Sequence, residues 1–352
     1  LAAQVANEQP EEAVATLERL AALGLSSPIG RSVEFTALRD RSDFQDVLKK
    51  VAGNMRARGA GQIAFSLPEM TGLIEGITWR EKTGQFYFGD VNARAVWVRG
   101  DDGALRRFTP ESDELLGVFA LAIDEEQGVL WAATSAVSAM RGYTPEMDGT
   151  AALAEIDLAS GSVRRTISLV RRSGDQGSHV LGDLALAADG GVYLTDGGAP
   201  VLWWLPPGGN SLEPLVESAE FMSLQGIVVL PETETLIVAD HANGLLAVDL
   251  LSRSVRRLPS PPNTTLIGLD GLALAPGGDV LAIQNGLRPN RVLRISLDAG
   301  AESVTQVNVL ESGHITMAAP SLGCIGPDGN FFYVGNAGWT RFENTDGEPS
   351  SP

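Results

Sequence analysis

The chain has 352 residues, 44% of them hydrophobic and 20% charged, with a formal net charge of −18. That balance supports a sizeable buried core, and a polyanionic surface is repelled by phosphate backbones and anionic lipid, which excludes nucleic acid and membrane surfaces as partners. The single cysteine, Cys324, excludes an intrachain disulfide and any cysteine-based metal site.

No apolar run approaches the roughly 18 residues that a membrane-spanning helix needs. The sequence opens at Leu1 without a methionine. Removal of an export signal would explain that start, so a periplasmic or secreted location is expected, with the cytoplasm as the alternative.

In chain order, residues 1–60 read as helical. Pro10-Glu11-Glu12 suits a first turn, where proline is tolerated and acids meet the positive end of the helix dipole. Val14, Leu17 and Ala21 recur at helical spacing and Gly24 stops the run. A second helix is expected over Asp43–Arg58, with Phe44, Val47, Leu48, Val51 and Met55 on one stripe. This helix pair resembles the last unit of a tetratricopeptide-type array. One unit cannot bury both its faces, so it is expected to pack on the rest of the chain and to offer a surface for protein contact.

Beyond residue 60 the pattern changes to strands. Six copies of one hairpin open at Glu75, Val118, Gly182, Gln225, Asp270 and Ser321, with separations of 43, 64, 43, 45 and 51 residues. Each copy offers an apolar strand, a turn rich in Gly, Asp or Asn, a β-branched or aromatic strand, and usually two more strands. Four antiparallel strands every 40–50 residues are the signature of a propeller blade. The expected fold is therefore all-β, a six-bladed β-propeller with four-stranded blades behind a small helical segment.

The long second spacing fits an insertion around residues 135–150. The last copy runs out of chain, so residues 62–67 (QIAFSL) are expected to close the ring as the outer strand of blade six. The expected divisions are a helical extension over 1–60, the propeller over 61–345 and a loose tail over 346–352.

In a propeller the residues opening each inner strand share one face with the second turns and the links between blades. Glu75, Gln225 and Asp270 stand in that ring, with Asp90, Asn92, Asp196, Asp240, His241, Asn285 and Asn336 above it. Arg172 lies on a loop of the same face, where it could meet an anionic substrate. Taken alone, Glu75 or Asp270 reads as a strand-end cap, and their recurrence at equivalent positions is what suggests a site. Trp203-Trp204 and Trp339 read as blade packing. Gly59-Ala60-Gly61 imitates a dinucleotide fingerprint, but a helix precedes it and a strand follows, the wrong order for a phosphate site. No nucleophile elbow, P-loop or His-Glu-x-x-His occurs.

Over roughly residues 62–345 the blades resemble the gluconolactonase, senescence-marker-protein and luciferin-regenerating-enzyme family of six-bladed propellers. The resemblance rests on Glu75-Gly76, Leu181-Gly182-Asp183, Gln225-Gly226 and Asp270-Gly271. It implies one divalent cation held at the channel mouth by Glu75, Gln225 and Asp270, with Gln225 standing where the family has Asn. It also implies that Asp270 is the general base, and His241 is a second candidate because a neutral imidazole suits neutral pH. Two carboxylates and an amide oxygen form a hard donor set, so calcium is expected first, with zinc, magnesium or manganese as alternatives.

Asp183, Asp240, Asn285, Arg172 and Asn336 are the expected substrate contacts. Where the family usually has Asn-Asp at the blade-three entry, this chain has Gly182-Asp183. The expected function is metal-dependent hydrolysis of a lactone or related ester. The rivals are a non-catalytic propeller binding a small ligand or protein, and a metal-free relative like the strictosidine-synthase propellers.

Overall fold

The structure, a computed structural model, describes residues 2–7, 9–68, 71–112, 114–169 and 178–342. Arg172 lies outside them. Among the described residues no helix is long and apolar enough to cross a membrane.

Three helices come first: α1 (Ala2–Ala6), α2 (Pro10–Ala22) and α3 (Ser42–Gly53). Pro10 starts α2, as its missing N–H permits, and Gly24 takes a left-handed φ of +71° just past its end. Val14, Leu17, Phe35, Phe44, Val47 and Val51 close a small core of their own. The second helix stops at Gly53, short of the expected Arg58, and Met55 is 45% exposed. Asn54 ends it by donating its side-chain amide to the carbonyls of Ala21 (2.9 Å) and Leu25 (2.8 Å), which ties α3 to the end of α2.

Among the described residues the strands form five four-stranded antiparallel sheets and one two-stranded sheet. Blade one comprises Ile74–Arg80, Gln85–Asp90, Ala95–Arg99 and Leu105–Arg107. Blades two to five repeat the plan, with inner strands Gly117–Asp124, Leu181–Leu186, Leu224–Leu230 and Leu269–Leu274. The expected six blades are thus five, because the last copy contributes only Gly323–Ile325 and Phe331–Tyr333. Each inner strand touches the next in chain order, and Gly323–Ile325 touches those of blades five and one, so the small sheet completes the ring. The Ser321 hydroxyl donates to the Glu75 carbonyl across that junction (2.9 Å).

Residues 62–67 do not supply the expected closing strand. They lie outside any ladder, and Phe65 instead packs its ring on Phe86, centroid to centroid 5.4 Å, in a cluster shared with Leu67, Cys324 and Phe332. Aromatic burial at the junction replaces backbone pairing. The backbone pairing in this region is made further back, by Arg58 with Ser312 on the outer strand of blade five.

The core lies between blades. Ala120 and Trp131 of blade two pack on Leu184, Leu194 and Trp203 of blade three, and Ile237 and Ala239 of blade four on Leu272 and Ala282 of blade five. Each such buried aliphatic side chain contributes about 1.5–3 kcal/mol.

Two local devices hold this packing. First, every four-stranded blade carries a bulge or register shift near the start of its inner strand, at Glu75, Phe119, Gly182-Asp183, Gln225-Gly226 and Asp270-Gly271. Glycine there lets neighbouring inner strands touch. A Cβ on Gly76 would meet the Phe119 carbonyl at 2.4 Å, and one on Gly226 the Asp270 carbonyl at 2.4 Å.

Second, the last residue of the second strand is a fully buried aspartate in blades one, three and four. Asp90 accepts from the amides of Gly72, Leu73 and Ala93 and from the Trp97 indole. Asp196 accepts from the amides of Val180 and Gly198 and from Trp203, and pairs with His179 Nδ1 at 2.6 Å. Asp240 accepts from the amides of Met222, Ser223, Ala242 and Asn243. One carboxylate thereby fixes the strand exit, the following turn and the entry to its own blade.

Blade five uses Gln284 instead, donating to the Thr265 and Ile267 carbonyls. Its Oε1 accepts from Arg291 Nε (2.8 Å), and Arg291 Nη1 reaches the Leu23 carbonyl at the end of α2 (2.9 Å). Burial pushes the Arg291 guanidinium down to about 10. With Ser26 N donating to the Arg288 carbonyl (2.7 Å), this contact docks the helices on blade five.

Replacing Gly226 with alanine forces blades four and five apart at backbone atoms, so a loss of about 1–3 kcal/mol in denaturant unfolding is expected. Gly277→Ala, where a Cβ would meet nothing within 4 Å, is the near-neutral control.

Candidate functional site

The bulges aim one residue per blade into the channel, a role such irregularities often serve beside binding sites. Glu75, Phe119, Gln225 and Asp270 arrive this way and line a cavity of about 270 Å³ with Val180, Gly182, Gly197, Leu322 and Trp339. The residue of blade two is Phe119 and not the expected Val118, which is fully buried between blades one and two. The bulge adds one residue, and a one-residue step along a strand exchanges the faces.

Three of the expected ligands therefore share one cavity. Trp339 Nε1 donates to Glu75 Oε2 (2.8 Å). Asn285 Nδ2 donates to Asp270 Oδ2 and to the Pro320 carbonyl (2.9 Å), which fixes the Asp270 carboxyl. Gln225 Nε2 donates to Ser223 Oγ (3.2 Å), leaving its carbonyl oxygen available to the cavity. Among the described residues no three His, Cys, Asp or Glu side chains converge as a ligand group. Two carboxylates and one amide side chain nevertheless line the cavity, and oxygens of this kind are of the hard type that suits a hard cation.

Electrostatics single out the same groups. Burial raises the Glu75 carboxyl well above its ordinary value, and the neighbouring Asp270 charge raises it further against the Trp339 hydrogen bond. Asp270 is also raised by burial, partly offset by Asn285 and by His241. Burial pushes Asp183 up to about 7. A cluster of perturbed carboxyls in a cleft is a physical mark of a functional site.

The other expected residues separate into neighbours and scaffolding. Asn285 is joined to Asp270. His241 lies above, its ring against Gly286, where a Cβ would sit 2.3 Å from Nε2, and it does not line the cavity. Asp183 does not line the cavity: its oxygens accept from the amides of Leu184 (2.8 Å) and Ile227 (3.0 Å), joining blades three and four. Asp240 is occupied by the four amides described above. Asn336 caps a turn through the Gly338 amide (3.2 Å) and stays outside the cavity. All three are polar because the backbone beside them needs partners.

Trp339, expected to be packing, forms a wall of the cavity with its ring 6.2 Å from Phe119. It lies on a 3₁₀ turn after the last strand, Trp339–Arg341, and has no counterpart in the other copies, so comparing repeats could not mark it.

With Glu75 and Asp270 raised, the folded protein holds protons in this cavity that the unfolded chain has already released. Stability then falls as pH rises from the ordinary carboxylate range towards and past neutrality. In the presence of chelator, Glu75→Gln is expected to flatten that fall and to raise Tm by a few degrees at pH 8 in thermal melts. A slope matching the wild type would show that the Glu75 carboxyl is not raised in the folded protein.

Comparison with known proteins finds the same architecture. No family model matches the chain, and no curated protein matches it. Among solved structures, a gluconolactonase from Xanthomonas campestris is 18% identical, covering 76% of this chain and 84% of its own, with a TM-score of 0.53. A luciferin-regenerating enzyme is 15% identical over 73% of this chain and 80% of its own, TM-score 0.50. Virginiamycin B lyase from Staphylococcus aureus is 14% identical over 79% of this chain and 81% of its own, TM-score 0.50. The chain shares the fold of these enzyme propellers.

Proposed function

We propose that this chain hydrolyses a lactone or related ester in the channel cavity, beside Glu75 and Asp270. One observation carries the reading: two proton-hungry carboxyls meet beside an amide oxygen in a cleft whose other walls are largely apolar. Likeness in fold to a gluconolactonase supports the same reaction class.

The oxygens of Glu75, Asp270 and Gln225 would hold one divalent cation, calcium before zinc, magnesium or manganese, because the set is hard and oxygen-only. When bound, such an ion polarises an acyl carbonyl and makes attached water more acidic.

The side chains have separate tasks. Asp270, oriented by Asn285, accepts the proton of the attacking water. The water oxygen bonds to the acyl carbon, the acyl–oxygen bond breaks, and the proton passes to the departing alkoxide, giving a hydroxy acid from a lactone. Glu75 is held in place by the Trp339 indole, and Phe119 with Trp339 shields the reacting end from bulk water. His241, whose neutral ring could take a proton from above the cavity, is the alternative acceptor.

On a panel of lactones and aryl esters, Asp270→Ala is expected to lower kcat/KM by about 10²–10⁴, the usual contribution of a general base. Chelator is expected to do the same, and added calcium to restore the rate. A bound cation favours the carboxylate form of the base, so the acid limb of the pH profile should move to lower pH as calcium is raised. Absence of any turnover across the panel would assign the cavity to a non-catalytic, ligand-binding propeller, and turnover that chelator leaves intact would assign it to a metal-free enzyme.

A further inference from the structure

We propose that the cavity selects a compact lactone or ester with an apolar or aromatic body, and discriminates against polyhydroxylated lactones. The inference rests on the hydrolase reading for its chemistry, but on the cavity walls for its ligand class.

Among the described residues the polar lining is confined to Glu75, Gln225 and Asp270. The remaining walls are two aromatic rings, Phe119 and Trp339, two aliphatic side chains, Val180 and Leu322, and the bare backbone of Gly182 and Gly197. A ligand bearing several hydroxyls needs a polar partner for each, since a site that leaves such groups unpaired rejects them. Among the described residues few donors are on offer. The Trp339 indole N–H is committed to Glu75, and Gln225 already gives an N–H to Ser223.

Space does not explain the missing polar side chain at Gly182. A Cβ there would meet only Thr195 Oγ1, at 3.9 Å, an ordinary contact. Its φ is not left-handed, so the backbone does not demand glycine either. The open volume is instead bounded by the Phe119 and Trp339 rings, tilted 37° to one another, which present apolar surface to a flat ring. At about 270 Å³ the cavity falls just under the roughly 300 Å³ at which sites for drug-sized ligands begin, so it suits a single small ring system.

The test compares dihydrocoumarin with D-glucono-1,5-lactone as substrates. Wild type is expected to favour dihydrocoumarin by at least about tenfold in kcat/KM, and Gly182→Asn to shrink that ratio by about tenfold, by adding the absent polar group. A ratio of one or below in wild type would overturn the inference while leaving the hydrolase reading intact. Calorimetric binding of the matching non-hydrolysable lactams separates the two ideas further. If neither lactone is turned over but the aryl lactam binds, and binds more weakly to Gly182→Asn, the hydrolase reading fails and the ligand class stands. If the polyhydroxylated lactam binds as tightly as the aryl lactam, or neither binds, the ligand class is wrong.

Discussion

The close approach of neighbouring inner strands around the channel is the constraint on which everything else depends. Gly76, Gly226 and Gly271 sit where a single Cβ would collide with backbone atoms of the next blade, at 2.4 Å, 2.4 Å and 2.8 Å respectively. Those contacts draw the blades close enough for their aliphatic faces to interdigitate. Bulges at the same positions turn Glu75, Gln225 and Asp270 inwards. In each of these three pairs the glycine lets the ring close and the residue before it lines the cavity.

A second layer, the buried aspartates, fixes what the glycines bring together. Asp90, Asp196 and Asp240 each gather three or four donors. An unsatisfied buried amide costs about 1–3 kcal/mol, so removing any one of these carboxylates would cost several such penalties together. In blade five Gln284 takes the role, and through Arg291 the helical unit becomes part of that blade's support. Asp270 stands on the strand paired with Gln284, so the helices buttress the half of the ring that carries the candidate base.

Much of this was legible in the sequence, and the misses share physical reasons. The spacing of Glu75, Gln225 and Asp270 placed them on one face because a propeller repeats one plan, and they do share a cavity. Period and turn chemistry also gave antiparallel four-stranded blades. Blade count failed at Gly323–Tyr333, where Phe65 and Leu67 cover the small sheet with side chains and no backbone ladder forms. Phe119 was missed because a bulge shifts the face by one residue. Asp183 and Asp240 serve backbone amides in the structure, a role the sequence does not distinguish from substrate contact because the letter is the same. Trp339 was missed because only the tertiary fold carries it back to Glu75.

The site itself is a balance of opposed charges and apolar walls. Glu75 and Asp270 repel one another in a place poor in water, a cost the fold tolerates through the Trp339 and Asn285 hydrogen bonds. A cation would relieve it. Terbium luminescence sensitised by tryptophan tests that claim most directly, because the Trp339 indole touches Glu75. The account predicts saturable sensitised emission that calcium competes away, that Asp270→Ala abolishes, and that falls in Trp339→Phe. Emission that does not saturate, or that is unchanged in Asp270→Ala, would contradict it.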